Sequence, residues 1–144
     1  MNPGIHLSKL WSDDTIIELQ VDVSDGRSYF SNEVYLGSHA LEETVSRLLA
    51  FRDQVHGGLL DLRFGEFGQE YANGAFRARF HLAAPGRLFV SCEQESAFAQ
   101  FGKKEVASRA TLYVESEPVL LDRFISGLQA MADGGNQEAH LDGI

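Results

Sequence analysis

His39, Glu42 and Glu43 stand at i, i+3 and i+4, a spacing that puts one imidazole and two carboxylates on one side of a helix as a donor set for a divalent metal. The same residues open a helical pattern, where first-turn carboxylates complement the helix dipole, and that role accounts for them without a metal. His140 and Asp142 are ligands by type but belong to a short polar stretch read as a loose tail, and His6, His56 and His81 are isolated in sequence. Cys92 falls on the apolar side of an alternating run, where burial raises a thiol's pKa and makes it inert. Asp13-Asp14 and Glu42-Glu43 are chain neighbours, whose side chains diverge on a strand or a helix. No G-x-S-x-G elbow, phosphate loop or dinucleotide fingerprint occurs. No catalytic, cofactor-binding or metal residue is assigned, and the reading leans away from an enzyme.

One polar pattern remains. In "AFRARFHLAAPGRLFVSCEQE", residues 75 to 95, Arg77, Arg79 and His81 alternate with Phe76, Ala78, Phe80 and Leu82. A turn at "APG" leads into Leu88, Val90 and Cys92, again alternating. Pairing Leu82 with Leu88 sets Phe80 against Val90 and Ala78 against Cys92 on the apolar face. On the other face it sets Arg79 against Ser91 and Arg77 against Glu93, so the stripe reads as the solvated side of a sheet. A patch for an acidic partner is the alternative. Tyr29 and Tyr35 pose a similar choice, because "SYFSNEVY" places aromatic residues at both parities and one set lines either an exposed hairpin face or a subunit contact.

These residues need elements to position them. Ile17, Leu19, Val21 and Val23 alternate with Glu18, Gln20 and Asp22, the turn chemistry of Asp25-Gly26 follows, and a second strand over 29 to 36 completes a hairpin. Ser38 can cap a helix over 38 to 55 with Leu41, Val45, Leu48, Leu49 and Arg52 on one face. A strand over 59 to 64, a long glycine-containing loop, the pair just described and a strand over about 106 to 114 come next. Residues 96 to 104 read as a connection packed locally by Phe98 and Phe101. A helix over 117 to 132 begins at Pro118 and buries Leu121, Phe124, Leu128 and Met131, and "EAHLDGI" offers a short last strand. The sum is an α+β fold: a single mainly antiparallel sheet of five to seven strands, two amphipathic helices packed on it, and loosely ordered tails at 1–14 and 133–144.

The chain has 144 residues, 44% of them hydrophobic, which suits one domain. Against 21 Asp and Glu there are 12 Lys and Arg, a formal charge of -9, so the long-range field repels nucleic acid and anionic membrane surfaces. A lone cysteine and the lack of a leader-like or membrane-spanning run lead to a cytoplasmic expectation.

The helix "LEETVSRLLAF", the strand "GGLLDLRF", the pair "FRARFHL" and "GRLFVSCEQ", and "ATLYVESEPVLLDRFISGLQAM" together resemble the WapI-like bacterial immunity proteins over about residues 38 to 132. The resemblance implies toxin neutralisation by binding and brings no catalytic residues. The expected function is a non-enzymatic protein-binding module with a protein partner, a basic toxin under the immunity reading, or a second copy of the chain. Tyr29, Tyr35, Arg77, Arg79 and His81 are its partner-surface candidates. The alternative is a small enzyme or ligand-binding protein with a pocket between sheet and helices.

Overall fold

The computed structural model describes residues 2–54, 57–71, 73–84 and 86–144. Its elements run β1 (Gly4–Ser12), β2 (Ile16–Ser24), β3 (Tyr29–Gly37), α1 (Ala40–Arg52), β4 (Leu59–Phe64), β5 (Asn73–Ala84), β6 (Arg87–Ala97), β7 (Ala99–Phe101), β8 (Lys104–Val106), β9 (Arg109–Ser116), α2 (Pro118–Ala132) and β10 (Glu138–Asp142). The expected single sheet is in fact three antiparallel ones: four strands in the order β10-β1-β2-β3, four in the order β4-β5-β6-β9, and the ribbon β7-β8. Each four-stranded sheet has one apolar face. Two helices are too few to cover both, so the two faces bury one another and the helices complete the same core.

Local chemistry makes the first sheet. Asp13 Oδ1 accepts the Thr15 and Ile16 amides at 2.8 Å each and closes the β1–β2 turn. Asp25 Oδ1 does the same for Arg27 and Ser28, at 2.8 and 2.7 Å, in the β2–β3 turn. Residues 4–12, expected in a tail, form β1, and residues 138–142 form β10 and pair with it, Ile5 opposite Leu141 and Leu7 opposite Ala139. In the second sheet the β5–β6 register is the one the alternation demands: Leu82 opposite Leu88, Phe80 opposite Val90, Ala78 opposite Cys92, Arg79 opposite Ser91, Arg77 opposite Glu93. Pro85 of the expected "APG" turn lies outside the described residues, as does His56.

The helices differ from expectation in detail. Ser38 does not cap α1; His39 holds the N-cap position with no side-chain hydrogen bond to it, while the Ser38 amide donates to Thr15 O. Leu41, Thr44, Val45, Leu48 and Phe51 face the core, and Leu49 is exposed, because the buried stripe turns toward Phe51. Arg52 instead reaches α2, where Nε and Nη2 donate to Asp122 at 2.7 and 3.2 Å. Helix α2 has its proline in the first turn and buries Leu121, Phe124, Ile125, Leu128 and Met131 as it packs beside β10. The β7–β8 ribbon leaves Phe101 exposed, so residues 96–104 are not held by packing of that ring.

The two sheets meet where β3 lies against β5 and β6. Asn32 Nδ2 donates to Ala75 O at 3.1 Å and Glu95 O at 3.0 Å, and its Oδ1 accepts from Gln94 Nε2 at 2.8 Å. Gln94 Nε2 also reaches Val21 O and Phe30 O, both at 3.2 Å. At the same place Gly74, at φ +91, comes so close to the Glu33 carbonyl that a Cβ would collide with it. Replacing Asn32 by Leu removes the side-chain donor from two carbonyls of the facing sheet and leaves Gln94 Nε2 only Val21 O and Phe30 O, and should cost about 1–3 kcal/mol. Urea unfolding of the variant against the wild type measures this; a loss below about 0.5 kcal/mol would show that the contact does not join the sheets.

Candidate functional site

Each four-stranded sheet turns a second face outward, and the candidate surface residues divide between the two. Register decides the division. On the first sheet, Asp142, Gly4, Ser24 and Tyr29 form one cross-strand row; His140, His6, Asp22 and Ser31 form the next; Glu138, Ser8, Gln20 and Glu33 form a third. After a bulge between Lys9 and Trp11, a fourth row runs Trp11, Glu18, Tyr35. These positions carry five carboxylates, two histidines and three aromatic rings, with no lysine or arginine.

The carboxylates near the middle of this face are held by neighbours. Asp22 is only 7% exposed; it accepts the Tyr29 hydroxyl at 3.0 Å and the Gln20 amide at 3.1 Å. Glu18, 8% exposed, accepts from the Tyr35 hydroxyl. That bond raises the Tyr35 phenol above its ordinary pKa, and Tyr29 is raised chiefly by desolvation and then by Asp22. Trp11 and Tyr35, both half-exposed, flank Glu18 on neighbouring strands. A carboxylate with an aromatic residue on each neighbouring strand suits a guanidinium or ammonium group arriving from outside.

The second sheet differs in one respect that decides the fate of the arginine stripe: its cations are already paired. Arg77 Nη2 donates to Glu93 at 2.6 Å, and Arg79 donates through Nε and Nη2 to both oxygens of Asp61 at 2.8 and 3.0 Å. Arg87 is paired with Glu115 and Arg109 with Glu95, at 2.5 and 2.7 Å. The Arg79 fork holds the Asp61 carboxyl below the usual carboxylate range. Glu95 is covered by the loop after β4, whose Gly68 amide donates to it at 2.8 Å. A groove of about 470 Å³ opens there between Arg63, Phe67, Arg77, Glu93, Glu95 and Arg109. His81 lies in the row Leu59, His81, Phe89, Glu115. Tyr113, 68% exposed, joins the Arg79 row. Tyr29 and Tyr35 are therefore on one sheet and Arg77, Arg79 and His81 on the other, so the five candidates do not form one surface.

The other sequence candidates have plain places. His39 and Glu42, 3.8 Å apart, are both exposed at the start of α1, and Glu43 joins no metal-binding cluster among the described residues. Asp13 builds a turn, and its bond from the Thr15 amide leads the interactions that lower its pKa. His140, read beside Asp142 as a ligand by type, stacks instead on His6, isolated in sequence, with ring centroids 4.1 Å apart and planes 8° from parallel. That pair is what the sequence could not announce. Its only trace is the alternation of His6 and Ser8 with Ile5 and Leu7, which marks a strand without naming its partner.

No family model, curated protein or solved structure matches this chain. The groove just described, and a second of about 400 Å³ beside Gln20, Glu33, Tyr35 and Asn73, are lined by strands and loops rather than by a sheet and a helix together. No helix among the described residues is long and apolar enough to cross a membrane.

Two measurements check this geometry. Burial pushes the Cys92 thiol up to about 12, so it keeps its proton in the folded state, whereas an unfolded thiol ionises near ~8.5. Below that value both states hold the proton and stability is undiminished; it falls as pH rises toward 12, because there only the unfolded thiol ionises. A disulfide reagent at pH 8 should therefore modify the thiol only after denaturant is added, and rapid labelling of native protein would place Cys92 outside the core. For the stripe, the coupling of Arg77 to Glu93 should be about 0.2–1 kcal/mol, since both side chains are more than a third exposed. Stabilities of Arg77→Glu, Glu93→Arg and the double variant isolate it; zero coupling would reject the contact.

Proposed function

We propose that this protein is a non-enzymatic binding module whose first-sheet outer face docks a basic protein partner, with toxin neutralisation of the immunity-protein kind as its role. The observation that carries this is the charge imbalance between the faces. Glu18, Asp22, Glu33, Glu138 and Asp142 point outward from four adjacent strands with no lysine or arginine among them, whereas the arginines of the second sheet are matched by their own carboxylates.

An uncompensated acidic face steers a cationic partner and fixes its orientation. Trp11 and Tyr35 add the apolar anchors that a purely charged surface lacks, because aromatic residues carry much of the energy of protein interfaces. The formal charge of -9 extends the same field beyond the face. The pattern likeness of residues 38 to 132 to WapI-like immunity proteins agrees in class with this reading, and an immunity protein that covers a nucleic-acid-directed toxin meets a cationic surface.

Co-expression with the product of the neighbouring reading frame, followed by co-purification, tests the role. The face is tested by titration with an arginine-rich peptide at two salt concentrations. Glu33→Lys with Asp142→Lys should slow association by about 10-fold or more and flatten its salt dependence. Arg79→Ala with Tyr113→Ala should leave it unchanged. Binding that survives the first pair and fails with the second would transfer the site to the other sheet.

A further inference from the structure

The pairing of β1 with β10 assembles a donor set that no stretch of sequence contains. His6 and His140 are directly opposite on these strands, and Ser8 is opposite Glu138, so two imidazoles and a carboxylate share one patch at the sheet edge. One donor atom from each of His6, Glu138 and His140 lies within 4.8 Å of the others. His6 Nε2 is 3.5 Å from Glu138 Oε1. In a tetrahedral zinc site with bonds of 2.0–2.1 Å, neighbouring donors are separated by about 3.3 Å. One edge of the tetrahedron is therefore nearly at its final length, and the other two close by side-chain rotation of Glu138 and His140, both exposed.

A second observation concerns the opposite side of the His6 ring. Asp22, directly across from His6 on β2, sets Oδ2 3.6 Å from His6 Nδ1. Asp22 is itself fixed by Tyr29 and Gln20. A carboxylate facing one ring nitrogen while the other faces a cluster of donors is the arrangement that orients a metal-binding histidine: closing the 3.6 Å gap to hydrogen-bond range would hold the proton on Nδ1 and leave the Nε2 lone pair for the ion.

We propose that His6, His140 and Glu138 form a binding site for a divalent transition-metal ion of the zinc class, with Asp22 as the positioning residue for His6. Two imidazoles and one carboxylate suit Zn²⁺, Ni²⁺, Co²⁺ or Cu²⁺ better than Mg²⁺ or Ca²⁺, which take all-oxygen sets. Three protein donors leave a coordination position open for water or for a donor from a bound molecule. The site adjoins a groove of about 260 Å³ lined by Pro3, Gly4, His6, His140 and Asp142, which gives that position access. An ion held here also ties the edge strand β10 to β1, so it stabilises the folded state by mass action.

Calorimetric titration of the purified chain with Zn²⁺, and Co²⁺ absorption as an independent reading of tetrahedral geometry, test the assignment. One ion per chain is expected, with a rise in melting temperature and no response to Mg²⁺. His140→Ala and Glu138→Ala should abolish the Co²⁺ spectrum or weaken it beyond detection; His39→Ala should not change it. Asp22→Asn should retain one-to-one binding at roughly 10- to 100-fold lower affinity, the loss typical of an outer partner. Circular dichroism of each metal-free variant separates lost binding from lost folding. No binding by the folded wild type, or full binding by a folded His6→Gln, His140→Gln double variant, would overturn the proposal.

Discussion

The contact between β3 and the β5–β6 pair is the constraint on which the rest depends. Two sheets, each apolar on one side, exclude water from a shared interior only if their separation is held, and a polar hinge at Asn32 and Gln94 sets it. Such a hinge is costly unless its donors are used, and here the Asn32 amide protons reach two carbonyls of the facing sheet. Gly74 allows the approach that makes this reach possible. With the sheets closed at this corner, α1 and α2 complete the remaining core, and the outward faces follow from parity alone.

That parity separates two kinds of polar surface. The second sheet is electrically self-contained, each arginine fork answered across the ladder or by a neighbouring turn. Exposed pairs of this type add little stability, but they discharge the face. The first sheet satisfies its central carboxylates with hydroxyls and an amide, which bond to them without cancelling their charge. Hydrogen bonding without neutralisation leaves a surface prepared for a cation.

Alternation was legible wherever a strand had several inward apolar residues. Phe76, Ala78, Phe80 and Leu82 determine their strand and its register against Leu88, Val90 and Cys92 without further information. β1 was obscure because it places only Ile5 and Leu7 in the core before its bulge, whereas β10 was readable as a short strand from Ala139 and Leu141 but carries nothing that names β1 as its partner. Division of the strands into two sheets was not legible either, since an apolar face looks the same whether a helix or another sheet covers it. Phe51 was missed as a core residue because the helical stripe drifts between 3- and 4-residue steps. The stripe of Arg77 and Arg79 was readable as a wet sheet face. The pairing of Arg79 with Asp61 required the β4 register, and the meeting of His6 with His140 required a contact between opposite ends of the described chain.

That last contact has a consequence in time. Most strands here pair with a neighbour close in sequence and can form early, whereas β1 joins β10 only across the longest loop the fold closes, and such non-local pairings are slow. All strands of the second sheet and both helices precede β10 in the sequence, and until β10 docks β1 is an edge with an open ladder of amides and carbonyls. The His6 to His140 stack therefore reports one late event: it forms only in a molecule in which β10 has docked on β1.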